Sequence, residues 1–357
     1  MPEPFHGQAG DGLSPRAADP HVAGAFEARA SAVFTVGESQ AHDESQPPGS
    51  PGGDAAPRCR RLRAAPSRIG RNLPFCQAAA RMFRLGLIQM RVEGGRKTEN
   101  LRHAVELIGQ AATDGTRVVV LPEAMPLGWT HSSARQLADS VPDGESCQVL
   151  REAARQRSVY VCAGLIERAG AVIFNSAVLI GPAGELLLHH RKLNELEIGH
   201  HLYGLGDRLQ VARTPLGTFG VMICADAFAR GQVISRALGL MGADIILSPS
   251  AWAVPADHDN ARDPYGQLWL DNYCPVARDF RMWIAGVSNV GWITDGPWAG
   301  RKCIGCSLVV DAAGQPVLRG PYGHDAEAVL GVEVRLVPRP AQGTGWEKCW
   351  AEPSTRG

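Results

Sequence analysis

From Phe83 to Val334 the chain alternates short apolar runs with segments of helical period, and this pattern limits the fold more than any other feature. Phe83 to Gln89 (FRLGLIQ) alternates as a strand. Thr98 to Ala112 places Leu101, Ala104, Val105, Leu107 and Ile108 on one helical stripe. Thr116 to Leu121 (TRVVVL) is a continuous apolar strand, stopped by Pro122-Glu123. Ser146–Gln156 then reads as a helix and Val159–Ile166 as a buried strand. Hairpins follow at Ala171–Ile180 with Glu185–His190, and across Leu209–Val221. Val233–Leu240 and Gly266–Arg281 read as helices, each leading into a strand, Ala243–Ser248 and Met282–Val287. Ile304–Val310 with Val317–Leu318 forms a last hairpin before strand Ala328–Val334. Strand–helix–strand units mixed with hairpins predict one α/β domain with buried sheets over residues 82–337.

The flanks differ in kind. Residues 1–81 hold ten of the 25 prolines, with Gly, Ala and Ser runs and no sustained period, a composition that predicts a disordered extension. Met82 stands immediately before the first strand and is a candidate biological start, which would make the upstream part a gene-model extension. Its arginines, Arg58 to Arg71, read first as a solvated tail and second as a targeting or nucleic-acid arm. Residues 338–357 read as an irregular tail. Lys plus Arg and Asp plus Glu both number 36, a balance that points to neither a nucleic acid nor an anionic membrane as partner. No apolar run approaches the roughly 18 residues of a membrane span, and the N-terminus lacks a secretory h-region. Nine irregularly spaced cysteines fit reduced thiols in a cytoplasmic protein better than a disulfide framework.

One of these cysteines has a distinctive setting. In TFGVMICADAFARG, residues 218–231, an apolar strand run breaks at Cys224-Ala225-Asp226 and a helical period resumes at Val233. Cys224 is therefore expected on a strand-to-helix turn near a positive helix end, where a thiol has a reason to ionise. A buried structural role is the commoner fate of a lone cysteine. A nucleophilic thiol needs a base and a charge to hold an oxyanion, and two other strand ends offer them. Glu123 follows a buried strand, where desolvation would raise its pKa, although Pro-Glu also reads as an ordinary helix start. Lys192 ends the run Leu186–Arg191 and reads either as a surface ion-pair residue or as a fixed cation facing an oxyanion.

These motifs, in this order, resemble the nitrilase superfamily of carbon–nitrogen hydrolases. The residues that carry the resemblance are VVVLPEAM (118–125), HHRKLNELE (189–197) and GVMICADAF (220–228), followed by GADIILSPSAW (242–252). LGLIQM (85–90), FNSAVLIGPAGE (174–185), SNVG (288–291) and GCSLVVDAAGQPV (305–317) support it. The resemblance implies an αββα four-layer sandwich and a catalytic triad of Cys224 as nucleophile, Glu123 as general base and acid, and Lys192 with the Ala225 backbone N–H on the oxyanion. It also implies a second glutamate after the lysine, for which Glu195 is the first choice and Glu197 the second. No metal or organic cofactor is implied. A homodimer or higher homo-oligomer is.

The expected activity is hydrolysis of a small amide or N-carbamoyl compound through a cysteine thioester. The alternatives are a nitrilase and a catalytically silent binding or scaffold protein on the same fold. Trp129 and Trp252 are expected at the substrate pocket rim, or else as half-buried interface residues. Cys303-x-x-Cys306 has the spacing of half a zinc or redox site but lacks a second ligand pair. His189, His190, His200 and His201 read as solvent-facing or pocket-lining, with His200 or His201 at the substrate mouth.

Overall fold

The computed structural model describes residues 81–339, so the expected extension and tail fall outside the described residues apart from Arg81, Pro338 and Arg339. In chain order the elements are β1 (Met82–Gln89), α1 (Lys97–Thr113), β2 (Val118–Val120), α2 (Ala134–Leu137), α3 (Glu145–Arg157), β3 (Tyr160–Ala169), β4 (Val172–Ile180) and β5 (Leu186–Arg191). The second half continues with β6 (Val211–Thr214), β7 (Gly217–Val221), α4 (Val233–Leu240), β8 (Ile245–Ser250), β9 (Ala253–Val254), α5 (Gln267–Phe280) and β10 (Trp283–Ser288). It ends with β11 (Val290–Trp292), β12 (Lys302–Ile304), β13 (Leu308–Val310), β14 (Pro316–Arg319) and β15 (Ala328–Arg335).

Two six-stranded sheets, in the orders β15-β1-β2-β3-β4-β5 and β14-β13-β10-β8-β7-β6, lie face to face, with a small three-stranded sheet β11-β12-β9 beside them. The strand period decides which residues enter which layer. Leu85, Leu87, Val118, Val120 and Cys162 face the second sheet, where Phe219, Val221, Ile245 and Leu247 meet them. Ile88, Val119, Leu121, Val161 and Ala163 point the other way and pack under Leu101, Leu107 and Ile108 of α1 and Leu150 of α3. Helices α4 and α5 cover the outer side of the second sheet, which completes an αββα four-layer sandwich. Helix α1 has no side-chain cap at its start. Fully burying each of its large apolar side chains is worth about 1.5–3 kcal/mol, more than the roughly 1 kcal/mol that a cap supplies. No helix among the described residues is long and apolar enough to cross a membrane.

One expected strand is divided. The run Ile304–Val310 breaks after Ile304, because Gly305 and Cys306 both take positive φ, 66° and 60°. A side chain at Gly305 would collide with the Gln89 amide, only 2.3 Å from the position of a Cβ. β12 therefore joins the small sheet and β13 the main one.

Parallel pairing of β1, β2 and β3, and of β7 with β8, sends several strand ends to one edge of the sandwich. β5, antiparallel to β4 as β4 is to β3, ends at the same edge. The two sheets are joined there by the Glu123 N–H, which donates to the Ser250 carbonyl at 3.2 Å.

Candidate active site

Glu123, Lys192 and Cys224 follow the ends of β2, β5 and β7, and the fold brings all three together. Glu123 is 2% exposed and Lys192 2%. Lys192 Nζ donates to Glu123 Oε1 at 2.8 Å and to Glu195 Oε1 at 2.7 Å. Cys224 is buried in the same core, where Glu123, Lys192 and the Ala251 backbone all act on the charge of its thiol. The residue after the sulfur, Ala225, is fully buried.

Each seat has a local cause. Glu123 fits against β3 only because residue 164 is glycine: a Cβ there would stand 2.4 Å from the Glu123 Cα. Gly199 clears the Glu195 side chain in the same way, with its would-be Cβ 2.8 Å from Glu195 Cγ. Lys192 is fixed at both ends of its peptide unit, its N–H on the Asn175 carbonyl and its carbonyl accepting from Gly206 N–H, both at 2.8 Å. Cys224 has φ of 43°, a left-handed backbone that a non-glycine residue adopts at a cost of about 1–3 kcal/mol and that turns the side chain out of the strand line.

The expected helix dipole is absent at this position. Cys224–Phe228 is a short 3-10 turn, a second such turn follows, and α4 begins only at Val233. The thiol is correspondingly not acidified. Burial pushes it well above its ordinary pKa, and the Glu123 carboxylate pushes in the same direction against the pull of Lys192. The proton must therefore leave to a neighbouring base, and Glu123 is the carboxylate that acts on this thiol. Burial also raises the Glu123 carboxyl; Lys192 opposes that rise and Glu195 adds to it. On Lys192 burial works against the charge, but Glu123 and Glu195 outweigh it and hold the ammonium above its usual range.

Of the two glutamates considered for the fourth position, Glu195 lies in the cluster, 7% exposed, while Glu197 is exposed to solvent. Trp129 is buried with its ring under the Lys192 ammonium, 5.9 Å from Nζ to the centroid, and meets Trp298 in a T-shaped contact at 5.1 Å. Trp252, expected at the rim, lies inside the core instead. It is 2% exposed and stacked on Trp269 at 4.5 Å.

Among the four histidines, His200 and His201 are exposed. His189 lies on Glu167 at 2.8 Å. His190 departs from the solvent-facing or pocket-lining expectation: it is 2% exposed and bonded through Nε2 to Asp226 Oδ2 at 2.8 Å. Cys303 and Cys306 are free, as are the other four cysteines among the described residues.

Sequence reasoning missed two groups. Asn175 donates from Nδ2 to Glu123 Oε1 at 2.7 Å and to Glu195 Oε2 at 2.8 Å, tying both carboxylates together. The signal was a polar Asn in the otherwise apolar strand FNSAVLI, since a buried amide requires partners. Asp226 accepts from the N–H of Ile223 at 2.9 Å, Leu193 at 3.0 Å and Asn194 at 2.7 Å, besides His190. Burial opposes its charge, but the His190 bond and the backbone donors prevail and keep its pKa below the ordinary value. It thereby clamps the segment after Lys192 to the turn that carries Cys224.

The family model described as carbon–nitrogen hydrolase matches residues 84–338. A nitrilase of Pyrococcus abyssi is 28% identical over 260 residues, 72% of this chain and 92% of that protein. The omega-amidase NIT2-A of Xenopus laevis is 31% identical over 272 residues, covering 71% of this chain and 89% of its own. A crystal structure of a carbon–nitrogen hydrolase from Helicobacter pylori superposes with a TM-score of 0.64 at 24% identity, covering 72% of this chain and 90% of that one.

Proposed function

Because this chain belongs to the carbon–nitrogen hydrolase family, we propose that it hydrolyses a small amide or N-carbamoyl compound through a thioester on Cys224. The observation that carries the reading is the buried pair of Glu123 and Lys192, held at 2.8 Å, with both charges acting on the buried Cys224 thiol. A base, a nucleophile and a cation in one desolvated cluster are what acyl transfer to sulfur requires.

In the proposed sequence Glu123 takes the thiol proton as Cys224 Sγ attacks the amide carbon. The carbonyl oxygen becomes an oxyanion facing Lys192 and the Ala225 N–H. Glu123 passes its proton to the leaving nitrogen, the C–N bond breaks, and ammonia or an amine departs. Glu123 then deprotonates a water that attacks the thioester carbon; the C–S bond breaks and the proton returns to sulfur. One water is consumed, and a carboxylic acid is released. Glu195 and Asn175 hold Lys192 and Glu123 in register through this cycle.

The P. abyssi relative named nitrilase supports a second reading, in which the same thiolate adds to a nitrile carbon. A cytoplasmic location is supported by the six free cysteines among the described residues. A homodimer is supported by Val233, Leu240 and Leu268, large apolar side chains exposed on the neighbouring helices α4 and α5. An ammonia-release screen over amides, N-carbamoyl amino acids and nitriles tests the activity. Cys224→Ala is expected to abolish release with the fold intact; release that survives this change removes Cys224 as the nucleophile.

A further inference from the structure

The hydrogen bonds around Glu123 are unevenly shared between its two oxygens. Oε1 accepts from Lys192 Nζ at 2.8 Å and from Asn175 Nδ2 at 2.7 Å. A carboxylate oxygen offers about two lone-pair sites, so Oε1 is full. No N–H or O–H donor among the described residues reaches Oε2. Glu195 is held differently. Its Oε1 accepts from Lys192 Nζ at 2.7 Å and from the Leu196 N–H at 2.9 Å, and its Oε2 accepts from Asn175 Nδ2 at 2.8 Å. Both of its oxygens therefore face donors that favour the charged form.

Asn175 creates this difference. It lies in β4 opposite Ile166 of β3 and is 1% exposed. Its carbonyl accepts from the Lys192 N–H at 2.8 Å, so one residue fixes the lysine backbone and both carboxylates. The Nδ2 group is occupied by the two carboxylates, while Oδ1 is buried without a partner. An unpaired buried carbonyl is destabilising, so packing alone does not account for an amide here. Turned the other way, the amide would set Oδ1 against two carboxylate oxygens. The Lys192 ammonium has three N–H donors, of which two meet Glu123 and Glu195. One donor on Lys192 and one acceptor oxygen on Glu123 are left over, and acyl transfer needs one of each.

We propose that Asn175 is a positioning residue: by filling Oε1 of Glu123 and Oε2 of Glu195, it holds Glu195 as a fixed anion and leaves Oε2 of Glu123 as the one oxygen that takes the proton from sulfur and passes it on. The proposal rests on Cys224 and Glu123 being nucleophile and base, and its test separates the two ideas.

Iodoacetamide reports on the base without any C–N cleavage. The sulfur displaces iodide: the S–C bond forms, the C–I bond breaks, iodide leaves and the thiol proton passes to Glu123. Mass spectrometry of the Cys224 peptide, after reaction of the full chain, gives the alkylation rate against pH. The rate is expected to fall on the acid side as Glu123 is protonated, and Glu123→Gln is expected to lose that fall. Burial raises the Glu123 carboxyl and Asn175 opposes the rise, so Asn175→Ala is expected to move the acid limb up by about one pH unit. Asn175→Asp keeps the volume, removes both N–H donors and is expected to move the limb in the same direction if the alanine variant folds poorly. A limb that stays in place in the folded variants, even at a reduced rate, marks a merely structural asparagine and overturns the proposal.

Urea unfolding reads the same division without any chemistry. Glu123→Gln can keep a carbonyl oxygen in the place of Oε1 with its amide at Oε2. Glu195→Gln must turn its amide on Asn175 Nδ2 or on Lys192, donor against donor, and is expected to lose more stability. The reverse order overturns the assignment of Oε2. Ammonia release from acetamide and butyramide is followed alongside. Asn175→Ala is expected to lower kcat about tenfold with KM within about twofold, since Asn175 acts through Glu123. Silence of both amides, with the alkylation limb still moved, counts against the amidase reading and supports the proposal. An acid limb that survives Glu123→Gln overturns Glu123 as the base, and the proposal with it.

Discussion

Gly164→Ala is the most direct test of how the fold seats Glu123. A methyl at this position would lie 2.4 Å from the Glu123 Cα, 2.6 Å from the Pro122 carbonyl oxygen and 2.8 Å from the Ala124 nitrogen. All three are backbone atoms, so no side-chain rotation relieves the overlap. Ordinary contact begins near 3.4 Å, which requires the Glu123 segment to retreat by about an ångström. The carboxylate cannot follow that retreat and keep its bonds to Lys192 at 2.8 Å and Asn175 at 2.7 Å. A misplacement of this size costs on the order of 100-fold in rate, and overpacking costs about 1–3 kcal/mol in stability. Ammonia release gives kcat/KM and urea unfolding gives stability. Gly220→Ala, whose nearest contacts would be at 3.4 Å, serves as the matched control and is expected to keep both. Activity within about threefold of the parent in Gly164→Ala, with unchanged stability, would refute the argument that close backbone approach sets the base.

Two further outcomes follow from the same cluster. Asp226→Asn puts an N–H₂ donor among four donors that now share a carboxylate. Losing two charge-assisted bonds should lower stability by about 3 kcal/mol in urea unfolding, and kcat should fall more than KM rises, because the clamp joins two catalytic segments without touching substrate. The pH profile of kcat/KM should drop on the acid side at a value above the ordinary 4.5, where the raised Glu123 carboxyl takes up its proton and ceases to be a base. On the alkaline side the ammonium of Lys192, held above 10.5, should impose no loss through pH 10. An acid limb at or below pH 4.5 would contradict the buried-base argument.

Much of this site was readable along the chain because its members occupy strand ends, and strand ends are written locally. The apolar run Val118–Leu121 stops at a proline, Leu186–Arg191 runs into a lysine, and Gly220–Ile223 breaks at a cysteine. Which layer each residue of β2 enters was not legible, because Val118, Val119 and Val120 are all apolar and all buried, the outer two against the second sheet and the middle one under the helices. The fourth carboxylate was ambiguous for a physical reason. Glu195 and Glu197 are two residues apart in a loop whose path is set by Gly199, Gly206 and the Asp226 clamp, none of which leaves a periodic signature. The state of the Cys224 thiol was misjudged from sequence because the resumed helical period at Val233 does not reveal the two short 3-10 turns lying between.

The sequence alone determined an α/β domain with buried sheets, which follows from local period, while Glu123, Lys192 and Cys224 were singled out together only by the resemblance of their motifs, since each by itself has an ordinary structural reading. Only the tertiary structure decided the electrostatics. Burial raises the thiol and the base together, and two carboxylates share one ammonium. An amide on β4 and an aspartate on the cysteine turn, far apart in sequence, hold the parts in register. Desolvation and distance are properties of the packed molecule, and a linear pattern carries neither.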